Sequence, residues 1–349
     1  MKLLSILFLV FLMSCTKSTE PDPIRVELRG ADLSELAQVR NSGYTLYDLD
    51  GAPSDMLVSL KAAGMNVVRL RLWNNEQDAI SGFAAVSKLS REIKAAGLKV
   101  WLTLHYSDTW ADPAHQTIPE KWKQLTFSAL QDSVYQFTRQ VVTDLKPDYI
   151  QLGNEINNGL LWPQGNLNQP ENLRSLIAAG SRAVHETDAS TRIIIHYAGL
   201  DGAETFYSLF SPTDYDIIGI SYYPNWHGKD LDWIKQRLNR LSSALGKDIV
   251  IAETAYPFTL DWNDQTQNLI GSTDQILPQF PPTPAGQRDF LAYLKQMMHE
   301  IPAGIGFCYW GGELVSYKGN QATDGSCCEN QALWDFKGHA LPVQEVFKP

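Results

Sequence analysis

The chain of 349 residues lacks several features that mark common functional classes. It has only four cysteines, with neither a CxxC pair nor a histidine-rich spacing that would indicate a zinc site. Its basic residues form no run and its net charge is −10, which argues against a surface for nucleic acids or anionic membranes. No low-complexity tract or linker interrupts residues 26–349. What remains is enough chain for a sizeable core, with ten Trp and fourteen Tyr.

Three of the cysteines lie late in the chain, in two different settings. Cys308 stands in an apolar run, which predicts a buried and unreactive thiol. Cys327 and Cys328 are adjacent, and in an oxidising compartment they either close a vicinal disulfide or stay reduced.

The N-terminus, MKLLSILFLVFLMSC, has one Lys and then an apolar run that is too short for an ordinary membrane span. Its end resembles a bacterial lipoprotein signal. We therefore expect a signal peptide at 1–14, a lipidated Cys15 with a flexible tether at 15–27, and one domain at 28–349. The protein would be an exported lipoprotein of the outer membrane or cell surface, or of the periplasmic face, bound to the membrane only through Cys15. The alternative is a soluble secreted protein with an incidental cysteine.

Eight short apolar runs recur along the rest of the chain, separated by polar loops and amphipathic helical stretches. This alternation is typical of a parallel sheet covered on both faces. It predicts the α/β class and a single (β/α)8 TIM barrel. A doubly wound open sheet is the alternative, but no GxGxxG loop follows the first run. The runs lie near 28–33, 66–73, 98–106, 148–155, 192–198, 216–223, 248–254 and 304–310, and helical stretches near 53–64, 84–97, 130–146, 172–187, 230–246 and 286–300.

In such a barrel the functional site lies at the C-terminal ends of the strands. Polar and aromatic residues stand at these ends, where a purely structural barrel would not need them. They are Asp32, Arg69, Arg71, Trp73, His105, Tyr106, Asp108, Asn154, Glu155, His196, Tyr222, Tyr223, Glu253, Trp310 and Glu313.

Glu155 and Glu253 end the fourth and seventh runs. Two carboxylates at one barrel mouth fit glycoside hydrolysis, in which one is a proton donor and the other attacks the sugar or activates water. Retaining enzymes place the carboxyl groups about 5–5.5 Å apart and inverting enzymes about 6.5–9.5 Å. Strands four and seven face each other, so the shorter distance is attainable. A single glutamate at a strand end is usually a solvated residue at the start of a loop, so the catalytic interpretation depends on the pair.

Asn154-Glu155 together with Glu253 resembles the clan A retaining barrel glycosidases. Within that clan the chain is similar to glycoside hydrolase family 53, the endo-β-1,4-galactanases, over about residues 28–347. The similarity is carried by VRLRLWNN (68–75), LTLHYSDTWADP (102–113), QLGNEINNGLLWPQG (151–165), ISYYPNWHG (220–228), IAETAYPFT (251–259) and the tail WGGELVSYKG…ENQALWDF.

The resemblance implies that Glu155 is the general acid/base and Glu253 the nucleophile of a double displacement. Arg69 matches the clan's strand-two arginine, and a guanidinium near Glu253 would keep that carboxylate ionised. Asn154 could bond a sugar hydroxyl near the scissile bond, and Tyr222 would hydrogen-bond the nucleophile. A plain core position is the alternative for Tyr222, and a structural ion pair is the alternative for Arg71.

Aromatic residues after the strand ends suggest a groove for sugar rings, whose C–H faces stack on indoles. Trp310 is expected to form the floor of the subsite where cleavage occurs. The other tryptophans are Trp73, Trp110, Trp162 and Trp226, any of which could instead pack a loop. Hydrogen bonds to hydroxyls are expected from His105, Asp108, Asn157, His196 and His227, with structural roles as the alternative.

Some bacterial members of the family bind Ca²⁺ between the loops after strands seven and eight. The corresponding segment, TLDWNDQTQN (259–268), offers oxygen ligands at Asp261, Asn263, Asp264 and Asn268. It lacks the histidine expected in the family's calcium loop, and the strand-eight loop carries an inserted QATDGSCC (321–328). A polar loop without metal is therefore the alternative, and the chemistry itself requires no cofactor.

The resemblance implies an endo-β-1,4-galactanase that cuts the β-1,4-galactan side chains of pectin. We expect a monomer that is most active at mildly acidic to neutral pH, where Glu155 is still protonated and Glu253 is ionised. One alternative is another retaining endoglycanase of the clan, such as a mannanase or a cellulase, which would differ only in the loops of the groove. A second is a surface lipoprotein that captures glycans without cutting them. Such a binder would not need two glutamates, an asparagine and an arginine at these strand ends.

Overall fold

The computed structural model describes residues 26–349 as a closed barrel of eight parallel strands. Each strand pairs with its neighbours in chain order, and β8 closes the barrel against β1. The strands coincide with the eight apolar runs, so the predicted (β/α)8 barrel is confirmed. They are β1 Leu28–Asp32, β2 Val67–Leu72, β3 Lys99–Leu104, β4 Tyr149–Leu152, β5 Arg192–Ala198, β6 Ile217–Ser221, β7 Asp248–Thr254 and β8 Gly304–Tyr309. The expected signal peptide, Cys15 and most of the tether lie outside the described residues.

Helices connect the strands and cover the outside of the barrel. The longest, α4, begins after Thr126, whose side chain accepts a hydrogen bond from the amide of Ala129, and it ends at Lys146 in a left-handed conformation. The helices are α1 Leu36–Ser42, α2 Met56–Ala62, α3 Phe83–Ala95, α4 Phe127–Leu145, α5 Pro170–Thr187, α6 Ala203–Ser208, α7 Pro224–His227, α8 Leu231–Leu245 and α9 Pro284–Glu300. Within residues 26–349, none of them is both long and apolar enough to cross a membrane.

The apolar core has two layers. The larger one fills the space between the sheet and the helices. The smaller one plugs the barrel interior and includes Leu28, Trp101, Tyr149 and Cys308. Cys308 is fully buried there, as its apolar run predicts. This plug ends below the C-terminal mouth, where inward-facing side chains become polar.

Two irregularities shape the mouth of the barrel. A short hairpin, Gly159–Leu160 with Gly165–Asn166, follows β4. The register of β6 against β7 shifts between Ile220 and Ser221, so that Ser221 lies opposite Glu253. Such a shift re-aims the side chains that follow it.

Candidate active site

An open cleft with a volume of about 1140 Å³ lies across the C-terminal mouth of the barrel. Residues from the ends of most strands contribute to its walls. They include Asp32, Arg71, Trp110, Asn154, Glu155, Ala198, Tyr223, Trp226, His227, Glu253, Trp310 and Glu313. The cleft lies at the end of the barrel where the sequence predicts the site.

Glu253 is the penultimate residue of β7 and is buried. Its Oε1 accepts a hydrogen bond from Arg69 Nη2 at 2.7 Å, and its Oε2 accepts one from the hydroxyl of Tyr223 at 3.1 Å. Burial raises the pKa of Glu253, and the Arg69 guanidinium opposes that rise. A cation in direct contact favours the ionised form of this carboxylate.

Arg69 is held in place by two further partners. Its Nη1 forms a salt bridge with Asp32 Oδ2 at 2.8 Å, and its Nη2 donates to Asn154 Oδ1 at 2.8 Å. All these groups are buried, so their mutual attraction is little screened by water. The predicted contact of Arg69 with Glu253 is present, and Asp32 fixes the guanidinium from the opposite side.

Glu155 lies beyond the end of β4 and has a left-handed backbone, with φ of 45°. Few residues other than glycine adopt this conformation, and it is typical of sites where the chain must aim a side chain. The carboxylate Oε1 accepts a hydrogen bond from Ser221 Oγ at 2.6 Å. Burial, followed by the charge of Glu253, raises the pKa of Glu155 to about 8. Glu155 therefore holds its proton at neutral pH.

A buried histidine links Glu155 to its support. Both Gln151 Nε2, at 2.9 Å, and the backbone amide of Glu155, at 3.3 Å, donate to His196 Nδ1. His196 Nε2 must then carry the proton, and it donates to Ser221 Oγ at 2.9 Å. Burial lowers the pKa of His196 well below its usual value, which keeps the ring neutral. Since the Ser221 oxygen accepts from His196, its own hydrogen points to Glu155.

Asn154 connects the residues around Glu253 with those around Glu155 through hydrogen bonds. Its Oδ1 accepts from Arg69 and, at 3.1 Å, from Gln151 Nε2, while its Nδ2 donates to the carbonyl of Ala111 at 2.9 Å. The sequence suggested a bond from this amide to a sugar hydroxyl. In the protein alone, the amide anchors the loop after β3 to the end of β4.

Four of the predicted groove residues line the cleft, namely Trp110, Trp226, His227 and Trp310. Trp110 is 41% exposed and Trp226 is 50% exposed, so both can accept a sugar face. The rings of Trp110 and Trp310 lie 6.4 Å apart and meet at 65°. Arg71 forms a salt bridge with Glu35 at 2.8 Å and donates to Ser81 Oγ at 2.6 Å, and its guanidinium stacks 4.2 Å from the centre of the Trp110 ring.

The prediction for Tyr222 is wrong. Its hydroxyl donates to the carbonyl of Gly228 at 3.1 Å, and its ring is buried against Phe290. Tyr223 is the residue that contacts Glu253. The reason is the alternation of side chains along β6 and just beyond it. Ile218, Ile220 and Tyr222 pack into the outer core, whereas Ser221 and Tyr223 face the cleft carboxylates.

His105 and Asp108 do not line the cleft in the structure. His105 is buried, and its Nδ1 accepts a hydrogen bond from the amide of Ala111 at 3.0 Å. Asp108 Oδ2 accepts from the amide of Glu120 at 2.8 Å, at the start of a short 3₁₀ helix. Both side chains stabilise loops, because backbone amides that lack secondary-structure partners capture nearby acceptors.

Three further residues that the sequence placed in the groove have structural contacts instead. Trp73 packs edge-on against Trp110, at a ring distance of 6.0 Å. The Trp162 indole donates to the carbonyl of Asn158 at 3.0 Å. Asn157 exchanges two hydrogen bonds with the backbone of Ala198.

Sequence reasoning missed several residues of the site. Ser221 had no signal of its own, since a serine that ends a strand is ordinary, and only its register opposite Glu253 reveals its position. Loop residues that line the cleft, such as Asp112, His115 and Leu269, were not singled out either. Their positions depend on long loops whose course the apolar pattern does not determine.

The calcium candidates do not fit a metal shell. Calcium sites take six to eight oxygens and usually include several carboxylates. Within residues 26–349, no three or more His, Cys, Asp or Glu side chains gather closely enough to hold a metal. Asp261 is exposed, while Asn268 donates to the carbonyl of Asp261 at 3.2 Å and keeps a buried Oδ1 without a partner. One free amide oxygen does not make a calcium site.

Comparison with known proteins gives the family. The model of glycosyl hydrolase family 53 matches residues 28–347. The solved GH53 catalytic domain of Ignisphaera aggregans is 34% identical, with a TM-score of 0.86 over 93% of this chain and 96% of that one. An endo-β-1,4-galactanase of Bacillus subtilis strain 168 is 30% identical over 92% of this chain and 85% of that protein. The arabinogalactan endo-β-1,4-galactanase of Cellvibrio japonicus strain Ueda107 is 33% identical, over 91% and 90%. The chain belongs to glycosyl hydrolase family 53 and is a glycoside hydrolase built on the clan A (β/α)8 barrel.

Proposed function

We propose that the protein is a retaining endo-β-1,4-galactanase that hydrolyses the β-1,4-galactan of pectin side chains. The observation that carries this proposal is the unequal environment of its two cleft carboxylates. Glu253 contacts a guanidinium, whereas Glu155 contacts only a serine hydroxyl and has a pKa raised to about 8. A charged nucleophile and a protonated acid are what double displacement requires at neutral pH.

In the first step, Glu155 donates its proton to the glycosidic oxygen while Glu253 attacks the anomeric carbon. The glycosidic bond breaks, and a galactosyl ester with Glu253 forms with inverted configuration. In the second step, Glu155, now ionised, takes a proton from water, which attacks the same carbon and releases Glu253. Two inversions give the retained β configuration. Arg69 and Tyr223 hold the Glu253 carboxylate in place through both steps.

The substrate assignment draws support from the cleft and from the relatives. The cleft is open and carries exposed indoles of Trp110 and Trp226, which suits internal attack on a chain more than capture of a chain end. The similar proteins of B. subtilis and C. japonicus bear galactanase names. Galactose gathers axial C–H groups on one face, which favours stacking on Trp310 at the point of cleavage.

A substrate panel tests the proposal. Purified protein is incubated with linear β-1,4-galactan, mannan, xylan and carboxymethyl cellulose, with Glu76→Gln, an exposed glutamate in the loop after β2, as a matched active control. We expect galactan alone to be cut to short oligosaccharides, with the β anomer appearing first in proton NMR. Cleavage of another chain but not galactan would overturn the substrate, and an α anomer would overturn the mechanism.

We also propose that a lipid on Cys15 anchors the enzyme to the outer membrane or cell surface. The support is the sequence of the N-terminal run alone. Labelling of cells with a radioactive fatty acid should mark the wild-type protein and leave Cys15→Ser unlabelled. Equal labelling of the two proteins would overturn the anchor.

A further inference from the structure

Two neighbouring thiols form part of the cleft wall. Cys327 and Cys328 lie in the loop after β8, and both line the same cleft as Glu155 and Glu253. Their Sγ atoms are 3.5 Å apart. Cys327 is exposed, whereas Cys328 is 1% exposed. No step of the glycosidase mechanism uses either sulfur.

We propose that Cys327 and Cys328 form a redox-active vicinal dithiol that reacts with disulfide compounds and thereby alters the substrate cleft. The Cys327 thiolate attacks one sulfur of an external disulfide, whose S–S bond breaks and releases one thiolate. Cys328, after losing its proton to solvent, attacks Cys327 Sγ of the mixed disulfide and displaces the second thiolate. The two cysteines lose two electrons and two protons, and the external disulfide is reduced to two thiols.

The two thiols differ in the way that this sequence of steps requires. The hydrogen bond with Cys328 lowers the pKa of Cys327 to about 6, so the exposed thiol is largely ionised at neutral pH and is the attacking group. The same interaction, followed by burial, raises the pKa of Cys328. Once Cys327 is capped, that interaction is lost and Cys328 is free to attack. Cys308 is buried within the barrel and is out of reach of external disulfides.

The backbone around the pair connects it to other parts of the cleft wall. The carbonyl of Cys327 accepts a hydrogen bond from the amide of Leu269 at 2.8 Å, and that of Cys328 accepts one from Gln331 at 2.9 Å. Leu269 and Gln331 both line the cleft. Adjacent Cα atoms are only about 3.8 Å apart, below the usual range of about 4.4–6.8 Å for a disulfide. Ring closure must therefore twist the peptide between the cysteines, which includes the Cys327 carbonyl that holds Leu269.

Mass spectrometry on the intact purified protein tests the reaction itself. The protein is equilibrated with oxidised and reduced glutathione at several ratios, alkylated and digested with trypsin. Peptide 319–337 contains Cys327 and Cys328 and no other cysteine. At low ratios we expect this peptide to carry two alkyl groups. As the ratio rises we expect it to carry none and to weigh two hydrogen atoms less than the free dithiol, with both alkyl groups regained after dithiothreitol, while Cys308 forms no glutathione adduct. Two free thiols in this peptide at every ratio would overturn the proposal.

Single variants separate ring closure from simple capping. In Cys328→Ser we expect a stable glutathione adduct on Cys327, because no second thiol can displace it. In Cys327→Ser we expect no adduct, because Cys328 is buried. An adduct that forms equally in both variants would contradict the assigned order of attack.

The effect on the cleft rests on the proposed function and is measured separately. For the oxidised protein we expect about a tenfold lower kcat/KM on galactan than for the reduced protein. This is the effect expected from the loss of one hydrogen bond between the substrate and the cleft wall. The loss should be smaller with a short dinitrophenyl β-galactobioside. Unchanged kcat/KM on galactan would overturn the coupling to the cleft. If the reduced protein cuts no galactan, the proposed function fails, whereas the mass readout still decides the dithiol.

Discussion

The ends of β4 and β7 carry the same side chain in unlike surroundings. Glu253 lies within β7, at a shift in the register against both neighbouring strands, and its two oxygens contact a guanidinium and a tyrosine hydroxyl. Glu155 lies beyond its strand in a left-handed conformation, and its carboxylate contacts one serine hydroxyl. Both carboxylates are desolvated, so burial alone cannot distinguish them. The difference between acid and nucleophile lies in the partner: a cation fixes the negative charge on Glu253, which in turn helps to keep the proton on Glu155.

The largest effect is expected from Glu253→Gln. The amide cannot attack the anomeric carbon, and it leaves the buried Arg69 without the charge it contacts. We expect kcat/KM on galactan to fall by about 10⁴-fold or more. The rate is measured by reducing-sugar release, with Glu76→Gln as the control. Activity within about tenfold of the wild type would remove Glu253 from the role of nucleophile.

Glu155→Gln should cost less, and its cost should depend on the leaving group. On galactan we expect a loss of about 10²–10⁴-fold, because the leaving oxygen receives no proton. A dinitrophenyl β-galactobioside needs no such proton, so release of dinitrophenol in the first turnover should stay near the wild-type rate. Equal losses on the two substrates would contradict the acid role.

Tyr223→Phe and Tyr222→Phe test the corrected position on β6. Removing the Tyr223 hydroxyl should lower kcat on galactan by about tenfold, since a hydrogen bond to a charged group is lost. That bond lowers the pKa of Glu253, so the acid limb of the pH profile should also move to higher pH. Tyr222→Phe should leave kcat within about twofold, because its hydroxyl contacts only the carbonyl of Gly228. A larger effect at Tyr222 would restore the original assignment.

The smallest effect is expected from Ser221→Ala. Wild-type kcat/KM should fall as pH rises through about 8, where Glu155 loses its proton. The hydrogen bond from Ser221 favours the ionised form and lowers the pKa of Glu155. Its removal raises that pKa, so the basic limb should move to higher pH, by less than about one pH unit. A shift of the basic limb to lower pH would contradict the assigned direction of the hydrogen bonds, in which His196 donates to Ser221 and Ser221 donates to Glu155.

The sequence predicted the barrel well because parallel strands buried on both faces appear as continuous apolar runs. The eight runs and the eight strands coincide. The positions of these runs alone therefore placed Glu155, Glu253, Arg69 and Trp310 near the C-terminal mouth of the barrel. The motifs of the family added the expected roles of these residues.

The side-chain positions that could not be predicted from the sequence lie mostly where the chain departs from regular structure. The choice between Tyr222 and Tyr223 is an exception, because Tyr222 continues the outward-facing series of Ile218 and Ile220, and the period of two therefore indicates Tyr223 as the inward-facing residue. The loop acceptors His105 and Asp108 were misplaced because their partners, the amides of Ala111 and Glu120, are brought near only by the folded loops. The support of Glu155 by Ser221 likewise depends on three strands meeting at one point.

The most direct test of the division of roles is the anomer that azide traps in two variants. Glu253→Ala and Glu155→Ala are each incubated with dinitrophenyl β-galactobioside and sodium azide, and the products are examined by proton NMR. We expect an α-glycosyl azide from Glu253→Ala, where azide replaces the nucleophile in a single inversion. We expect a β-glycosyl azide from Glu155→Ala, where azide attacks the ester already formed on Glu253. The same anomer from both variants, or the reverse assignment, would contradict the account.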